Sequence, residues 1–193
     1  MYKQCKTEQS AARQRSLERE LLQMMVIQRY EDISVSDLCQ RMEIPRKSFY
    51  RYFASKDGAL HGLLDHTLLE YFQHHRDELK KGERKLRKEL EQFFKFWLQN
   101  RKLLDALRRS DLSGVLMERA IILAFAQDSG TNIGVAEEER QLRRQSITFV
   151  ICGLMSTVLS WHSEGFAQSP AEMASVAEQL LTQPLLPVMK RFL

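Results

Sequence analysis

The stretch Ser34–Lys56, SVSDLCQRMEIPRKSFYRYFASK, decides how the chain folds, because it predicts two short helices joined by a tight turn. In its first half, apolar residues recur at the spacing of one helical face. Ser34 precedes Asp37 by three residues, as in a capping box. Pro45 then suits the first position of a second helix, where its missing N–H costs nothing. The stretch therefore predicts a helix–turn–helix.

The second of these helices separates an aromatic face from a basic one. The inward residues are Phe49, Tyr52 and Phe53, and the outward residues are Arg46, Lys47, Tyr50 and Arg51. No carboxylate lies between Arg46 and Lys56 that could pair with these cations within the helix. Cationic and hydroxyl groups are those with which proteins contact phosphates. The outward face therefore predicts contact with a polyanion; the alternative is a helix pair that only packs.

This stretch resembles the DNA-binding domain of the TetR/AcrR transcriptional regulators. The residues that carry the resemblance are Val35, Asp37, Leu38, Ile44, Tyr50, Tyr52, Phe53, Ser55 and Lys56. The resemblance implies that a helix from Pro45 to Tyr52 enters the major groove of double-stranded DNA. It implies that Arg46, Lys47 and Ser48 lie near base edges and that Tyr50 and Lys56 hold phosphates. The full set of implied DNA-binding residues is Ser36, Arg46, Lys47, Ser48, Tyr50, Arg51 and Lys56.

The stretch departs from the family pattern at two places. The turn usually carries an Ala-Gly pair where this chain has Met42 and Glu43. Because a glutamate reaches a positive backbone angle less easily than a glycine, we expect a slightly different turn. Lys47 stands where the family often has a small residue, so we expect it to change the DNA sequence that is read.

Composition and charge placement agree with a nucleic-acid-binding protein. The 193 residues are 44% hydrophobic and 28% charged, as in a soluble globular chain. Residues 1–56 contain eleven Lys or Arg against seven Asp or Glu, whereas residues 57–193 contain eighteen of each. The excess positive charge therefore lies with the helix–turn–helix. Three cysteines without metal-like spacing and the lack of an apolar leader predict a reducing, cytoplasmic location.

The rest of the chain predicts helices and no strand. A first helix from about Glu8 to Tyr30 completes a three-helix unit, and Ser55 caps a long helix that continues into the remainder. The predicted fold class is all-α, with a DNA-binding domain at residues 1–55. This domain is continuous with a larger helical domain at residues 56–193 for ligand binding and dimerisation.

One segment, Gln145–Ser163, contains no Asp, Glu, Lys or Arg and approaches the length of a membrane span. Its hydroxyl side chains favour a helix buried between partners, so no membrane is expected as a partner. Phe149–Pro170 also resembles the C-terminal half of TetR-type regulators, which implies that the last two helices pair with their copies in a homodimer. The interface candidates are Leu154, Val158, Trp161, Met173, Val176 and Leu180.

The resemblance further implies a cavity for a small apolar or amphipathic effector in the larger domain. The candidate lining residues are Tyr71, Phe93, Trp97, Leu104, Phe125 and Met155. Each also fits an ordinary core position, because aromatic and aliphatic residues at helical spacing are usually core.

Metal and enzyme chemistry find little support in the sequence. His66, Glu70 and His74 lie at successive i, i+4 positions, but a solvated polar face is the simpler interpretation and no metal or cofactor is expected. No phosphate loop, nucleophile elbow or HExxH pattern occurs. The sequence predicts a dimeric DNA-binding regulator, a repressor, that binds an inverted-repeat operator. The alternatives are a co-regulator of this fold that acts through a protein partner without its own effector, and an all-helical enzyme or ligand carrier.

Overall fold

The computed structural model describes residues 2–79, 85–128 and 136–183, with the side chains of residues 74–79 left out. These residues form helices and no strand, which confirms the all-α class, and a single bridge pairs Tyr2 with Phe53. A 3-10 turn at Tyr30–Asp32 separates the first two helices. The helices are α1 (Glu8–Ile27), α2 (Val35–Arg41), α3 (Arg46–Tyr50), α4 (Lys56–Leu79), α5 (Leu86–Gln99), α6 (Arg101–Arg109), α7 (Ser113–Asp128), α8 (Glu137–Ser163) and α9 (Pro170–Thr182).

The chain divides into two compact units. One unit combines Met1–Glu70 with Lys102–Cys152, and the other combines Tyr71–Arg101 with Gly153–Leu193. The chain passes between the units at three places: within α4, at the start of α6 and within α8. The boundary between the DNA-binding domain and the larger helical domain, placed after residue 55, stays a prediction.

The start of α2 is fixed by the capping box that the sequence predicts. The Ser34 amide donates to Asp37 Oδ2 at 2.9 Å, and the Asp37 amide donates to Ser34 Oγ at 3.0 Å. These hydrogen bonds lower the pKa of Asp37, since they stabilise its carboxylate. The turn that follows α2 contains Glu43 with φ of 54°, the left-handed angle for which glycine is the common residue. The chain therefore adopts this angle at a non-glycine position.

Helix α3 is shorter than the sequence predicts. Pro45 occupies the N-cap position, and the helix covers only Arg46–Tyr50 before the chain turns at Arg51. An isolated helix of this length is unstable in water. The burial of Phe49, which is completely covered, therefore supplies the stability that the helix lacks.

In the second unit, α5 packs against α9. The edge of Phe94 meets the ring of Trp161 with centroids 5.6 Å apart, and both side chains are buried. Gly165, with φ of 73°, follows the end of α8, and Ser169 caps α9 with Pro170 in its first turn. Turn chemistry thus sets both boundaries.

Helix α8 is long and apolar enough, by length and composition, to cross a membrane. Only 22% of its most apolar window is buried inside the chain. Phe149 is 70% exposed and Leu142 is 65% exposed. Among the described residues, Phe149 of α8 is therefore the most exposed large apolar side chain.

Candidate nucleic-acid interface

The two faces of α3 are those that the sequence predicts. Phe49, Tyr52 and Phe53 are buried, and the rings of Phe49 and Phe53 lie 5.3 Å apart. The opposite face is exposed: the side chains on it are Arg46, Lys47, Tyr50 and Arg51. Because the aromatic side chains are buried in the core, the cationic side chains on the opposite face point into solvent.

Two groups on this face contact each other. The Arg46 guanidinium donates from Nη2 to the Tyr50 hydroxyl at 3.4 Å, and its Cζ lies 6.0 Å from the ring centre. This contact holds both side chains along the outside of α3. Ser48 on the same helix is half-buried, and Ser36 on α2 is exposed. Helix α2 packs against α3. The DNA-binding candidates from Ser36 to Arg51 therefore lie on two adjacent helices and on the residue that ends the second one.

The charge on α3 is uncompensated. Within the part of the chain that the structure describes, Arg46, Lys47 and Arg51 make no ion pair with a carboxylate, and α3 itself carries no acidic residue. Unpaired, solvated guanidinium and ammonium groups on one helix create a local positive potential. Chemically, this face can bind a phosphate backbone and donate hydrogen bonds to base edges.

Lys56 is placed differently from the prediction. Its ammonium donates to the carbonyl oxygens of Tyr30 and Ile33, each at 2.6 Å, and of Glu31 at 3.3 Å. It also lies 4.2 Å from the centre of the Tyr30 ring. Because an ammonium has three donors, these carbonyls occupy all of them. In this structure Lys56 therefore fixes the loop that leads into α2, and its phosphate contact stays a prediction.

Tyr30 connects this loop to further elements. Its amide donates to Ser110 Oγ at 2.8 Å, in the turn between α6 and α7. Its hydroxyl donates to Asp57 Oδ1 at 2.6 Å, in the first turn of α4. Burial and this hydrogen bond raise the pKa of Tyr30. The loop before the helix–turn–helix is thus held by α4 on one side and by the α6–α7 turn on the other.

Two buried carboxylates lie outside the sites predicted from the sequence. Glu18 on α1 and Asp65 on α4 are each 2% exposed. Their positions carried a signal, since Glu18 adjoins Leu17 and Asp65 adjoins Leu64 on the apolar stripes of their helices. A buried carboxylate needs hydrogen-bond partners. An acidic residue on an apolar stripe therefore indicates a buried pair.

Glu18 has His66 as its partner. The Nδ1 atom of His66 lies 2.8 and 2.9 Å from the two carboxyl oxygens of Glu18. Burial is the main cause that raises the pKa of Glu18 to about 8; Asp65 and Glu70 add to it, and Arg15 opposes it. At neutral pH the Glu18 carboxyl is therefore largely protonated in the folded chain. His66 is thus half-buried and paired with Glu18, unlike the solvated residue that the sequence suggested. The side chain of His74 lies outside the described residues.

The ligand candidates divide between the two units. Three aromatic candidates lie together in the second unit: Tyr71, Phe93 and Trp97. The ring centres of Tyr71 and Phe93 are 5.6 Å apart, and those of Phe93 and Trp97 are 6.4 Å apart. Met155 is buried in the same unit, whereas Leu104 and Phe125 belong to the first. The indole N–H of Trp97 is buried and has no hydrogen-bond partner among the described residues. The three aromatic residues thus form one cluster with an unused donor.

The dimer candidates also differ in their exposure. Three of them, Val158, Trp161 and Met173, are buried within their own chain. Trp161 donates to the Gln168 carbonyl at 3.0 Å, which fixes it in the intrachain core. These three side chains are therefore core residues of the single chain, and their contact with a partner stays a prediction. The remaining candidates are accessible to different degrees: Leu154 is half-buried, Val176 is 46% exposed and Leu180 is 45% exposed.

The engagement of Lys56 predicts a stability effect that an exposed lysine would not show. Lys56→Met removes the donor of three carbonyl oxygens, and we expect the free energy of unfolding to fall by about 2 kcal/mol. Lys47→Met, on the exposed face of α3, should change it by less than about 0.5 kcal/mol. Urea unfolding followed by circular dichroism measures both. Equal stability of the two variants would contradict the placement of the Lys56 ammonium.

The raised pKa of Glu18 predicts a dependence of stability on pH. The group has a pKa of about 8 in the folded chain and an ordinary value of 4.5, so its stabilising protonated form is lost as pH rises through 8. Between these values stability should fall by up to about 1.4 kcal/mol per pH unit. Glu18→Gln keeps a donor for His66 and should remove this slope, whereas Glu8→Gln at an exposed position should not. Urea unfolding from pH 5 to 8 tests this, and an unchanged slope in Glu18→Gln contradicts it.

Comparisons with known proteins support the fold. No family profile and no curated protein gave a significant match to the sequence. Among the solved structures that match is the fatty acid degradation regulator FadR from Bacillus halodurans. The two share 16% sequence identity with a TM-score of 0.61, over 94% of this chain and 98% of that chain. This chain therefore has the all-helical fold of a transcription regulator along nearly its whole length.

Proposed function

We propose that this chain is a DNA-binding transcriptional regulator that acts as a homodimer on an inverted-repeat operator, and that it is a repressor. One observation carries the proposal: α3 and the residue after it present Arg46, Lys47 and Arg51 to solvent, together with Tyr50, and no carboxylate of the described residues pairs with these cations. Like charges on one helix repel each other and add no stability by themselves, whereas such a face serves well against phosphates. The similarity of this chain's fold to that of the regulator FadR supports the same function.

The roles of the α3 residues follow from their positions on the helix. Arg46, Lys47 and Ser48 are in the first turn and would meet base edges, since the N-terminal residues of a recognition helix enter the groove. Tyr50 and Arg51, with Ser36 on α2, would contact the phosphates on either side. Lys56 would contribute indirectly, because it fixes the loop that leads into α2. Phosphate contacts would supply much of the affinity and make it sensitive to salt.

Self-association would place two α3 helices on one face of the duplex. Twofold symmetry requires half-sites separated by about 34–36 Å or a multiple. The exposed apolar side chains of α9, Val176, Leu180 and Leu181, support such a contact in the second unit. Phe149 and Leu142 on α8 offer another apolar surface in the first unit. We assign these surfaces to the dimer contact. We further assign residues 1–55 to the DNA-binding domain. We place the protein in the cytoplasm, without a membrane partner.

The aromatic cluster of the second unit supports an effector. A buried N–H without an acceptor costs free energy, so the Trp97 indole favours a ligand that brings an acceptor atom. The rings of Phe93 and Phe96 lie on its sides, which favours an apolar body for that ligand. The similar structure is titled a regulator of fatty acid degradation, and an amphipathic effector agrees with both observations. The other candidates, Leu104, Phe125 and Met155, stay proposals.

DNA binding is tested by fluorescence anisotropy with the DNA upstream of the chain's own gene. We expect specific binding whose affinity falls steeply between 50 and 200 mM salt, by roughly a thousandfold for six contacts. Tyr50→Ala and Arg51→Ala should weaken binding to all sequences. Lys47→Ala should change the ranking of operator variants by about 1–3 kcal/mol at one base pair.

The matched control is Arg87→Ala, which removes an exposed arginine at the start of α5. It should leave affinity and salt dependence unchanged. If the α3 variants bind like the parent chain, the cationic face has another purpose and the co-regulator alternative, acting through a protein partner, gains support. An operator without an inverted repeat would contradict the dimeric arrangement.

A further inference from the structure

The Asp65 carboxylate is a junction of three elements. Arg119 on α7 donates to it twice, from Nε to Oδ1 and from Nη2 to Oδ2, each at 2.6 Å. The Tyr2 hydroxyl donates to Oδ2 at 2.8 Å. Asp65 itself lies on α4 and is buried. A bidentate guanidinium and a third donor are what a buried carboxylate needs to remain ionised.

Tyr2 connects this junction to the end of α3. The Lys3 amide donates to the Tyr52 carbonyl at 2.9 Å, and Tyr2 forms an antiparallel bridge with Phe53. The amides of Tyr52 and Phe53 in turn donate to the Phe49 carbonyl at 2.9 and 3.1 Å. The segment Tyr2–Lys3 therefore braces the residues that close α3. We call this segment the brace.

We propose that Asp65 is a positioning residue for the nucleic-acid interface, and that it couples α7 to the C-terminal end of α3 through the brace. The inference rests on the proposed function for its effect on DNA. None of the coupled groups lies on the exposed face of α3: Asp65 is buried, and Tyr2 and Arg119 are half-buried. They therefore act through the orientation of α3.

The direction of the coupling follows from the charge of the junction. If α7 shifts and Arg119 withdraws, Asp65 keeps a buried charge with only the Tyr2 hydroxyl as a strong donor. This state is costly, so the carboxylate and Tyr2 rearrange together. Because the brace is hydrogen-bonded to Tyr52, the end of α3 loses its support. A ligand or partner that changes the position of α7 would then alter the population of binding-competent α3.

Amide hydrogen exchange of the full chain tests the coupling without DNA. Arg119→Met removes both hydrogen bonds of the guanidinium, and Tyr2→Phe removes one hydroxyl while keeping the ring. We expect exchange in residues 46–53 to become about fivefold to tenfold faster in either variant, with residues 17–25 of α1 unchanged. In the double variant the two effects should not multiply, because both act through Asp65.

The control removes another arginine–aspartate contact of α7. Arg143 on α8 donates to Asp128 at 2.8 Å, so Arg143→Met should leave exchange at residues 46–53 unchanged. Unchanged exchange there in Tyr2→Phe overturns the proposal even if Arg119→Met fails to fold. Independent, multiplying effects of the two substitutions would also overturn it, since they exclude a shared route.

The effect on DNA is measured separately by anisotropy. We expect Tyr2→Phe to bind the operator about fivefold more weakly than the parent chain, with the slope against salt unchanged, since no phosphate contact is removed. Faster exchange with unaltered operator affinity would overturn the positioning role. A parent chain that binds no DNA would refute the proposed function, whereas the exchange data would still decide whether α7 and α3 are coupled.

Discussion

Helix α3 exists because Phe49 is buried. A helix of five residues, Arg46–Tyr50, has too few internal hydrogen bonds to persist in water. Phe49 is completely covered and lies 5.3 Å from the ring of Phe53, which is covered as well. This aromatic contact sets the rotation of the helix, and the rotation decides that Lys47 and Arg51 point outward. The cationic face is thus a consequence of the core.

The contacts around α3 extend this constraint into the rest of the first unit. The Lys56 ammonium holds three carbonyls of the loop before α2, and Tyr30 within that loop is bound by Ser110. On the other side, the brace reaches Asp65 and through it Arg119 on α7. The N-terminal segment that carries α3 is therefore attached through specific hydrogen bonds to α4, to the α6–α7 turn and to α7. Such contacts have defined geometry, and a shift of α7 can change them.

Helical periodicity and capping chemistry predicted the inward face of α3 and the start of α2. The spacing of Phe49 and Phe53 identified the inward face, and Ser34 with Asp37 identified the start of α2, because these signals are local. The role of Lys56 could not be predicted in this way. Its acceptors lie 23 to 26 residues earlier in the chain, so a cation at a helix start looked free to hold a phosphate.

The last two helices show the same limit. The apolar stripe of α9 predicted which residues avoid water but gave no information about what covers them. Met173 is covered by its own chain, whereas Val176 and Leu180, three and seven residues later, are exposed. Glu18 and Asp65 were missed for a related reason, since their partners His66 and Arg119 are distant in sequence. Long-range contacts decide these roles.

The central claim, that the outer face of α3 meets DNA, is tested most directly by crosslinking from that face. Lys47→Cys, labelled with a photoreactive aryl azide, would be irradiated on the DNA that the chain protects. The account predicts crosslinks to bases at two positions related by a twofold axis, well above the background from the native cysteines. Arg87→Cys on α5, labelled in the same way, should give only that background. Crosslinking from position 47 no stronger than from position 87 would contradict the account.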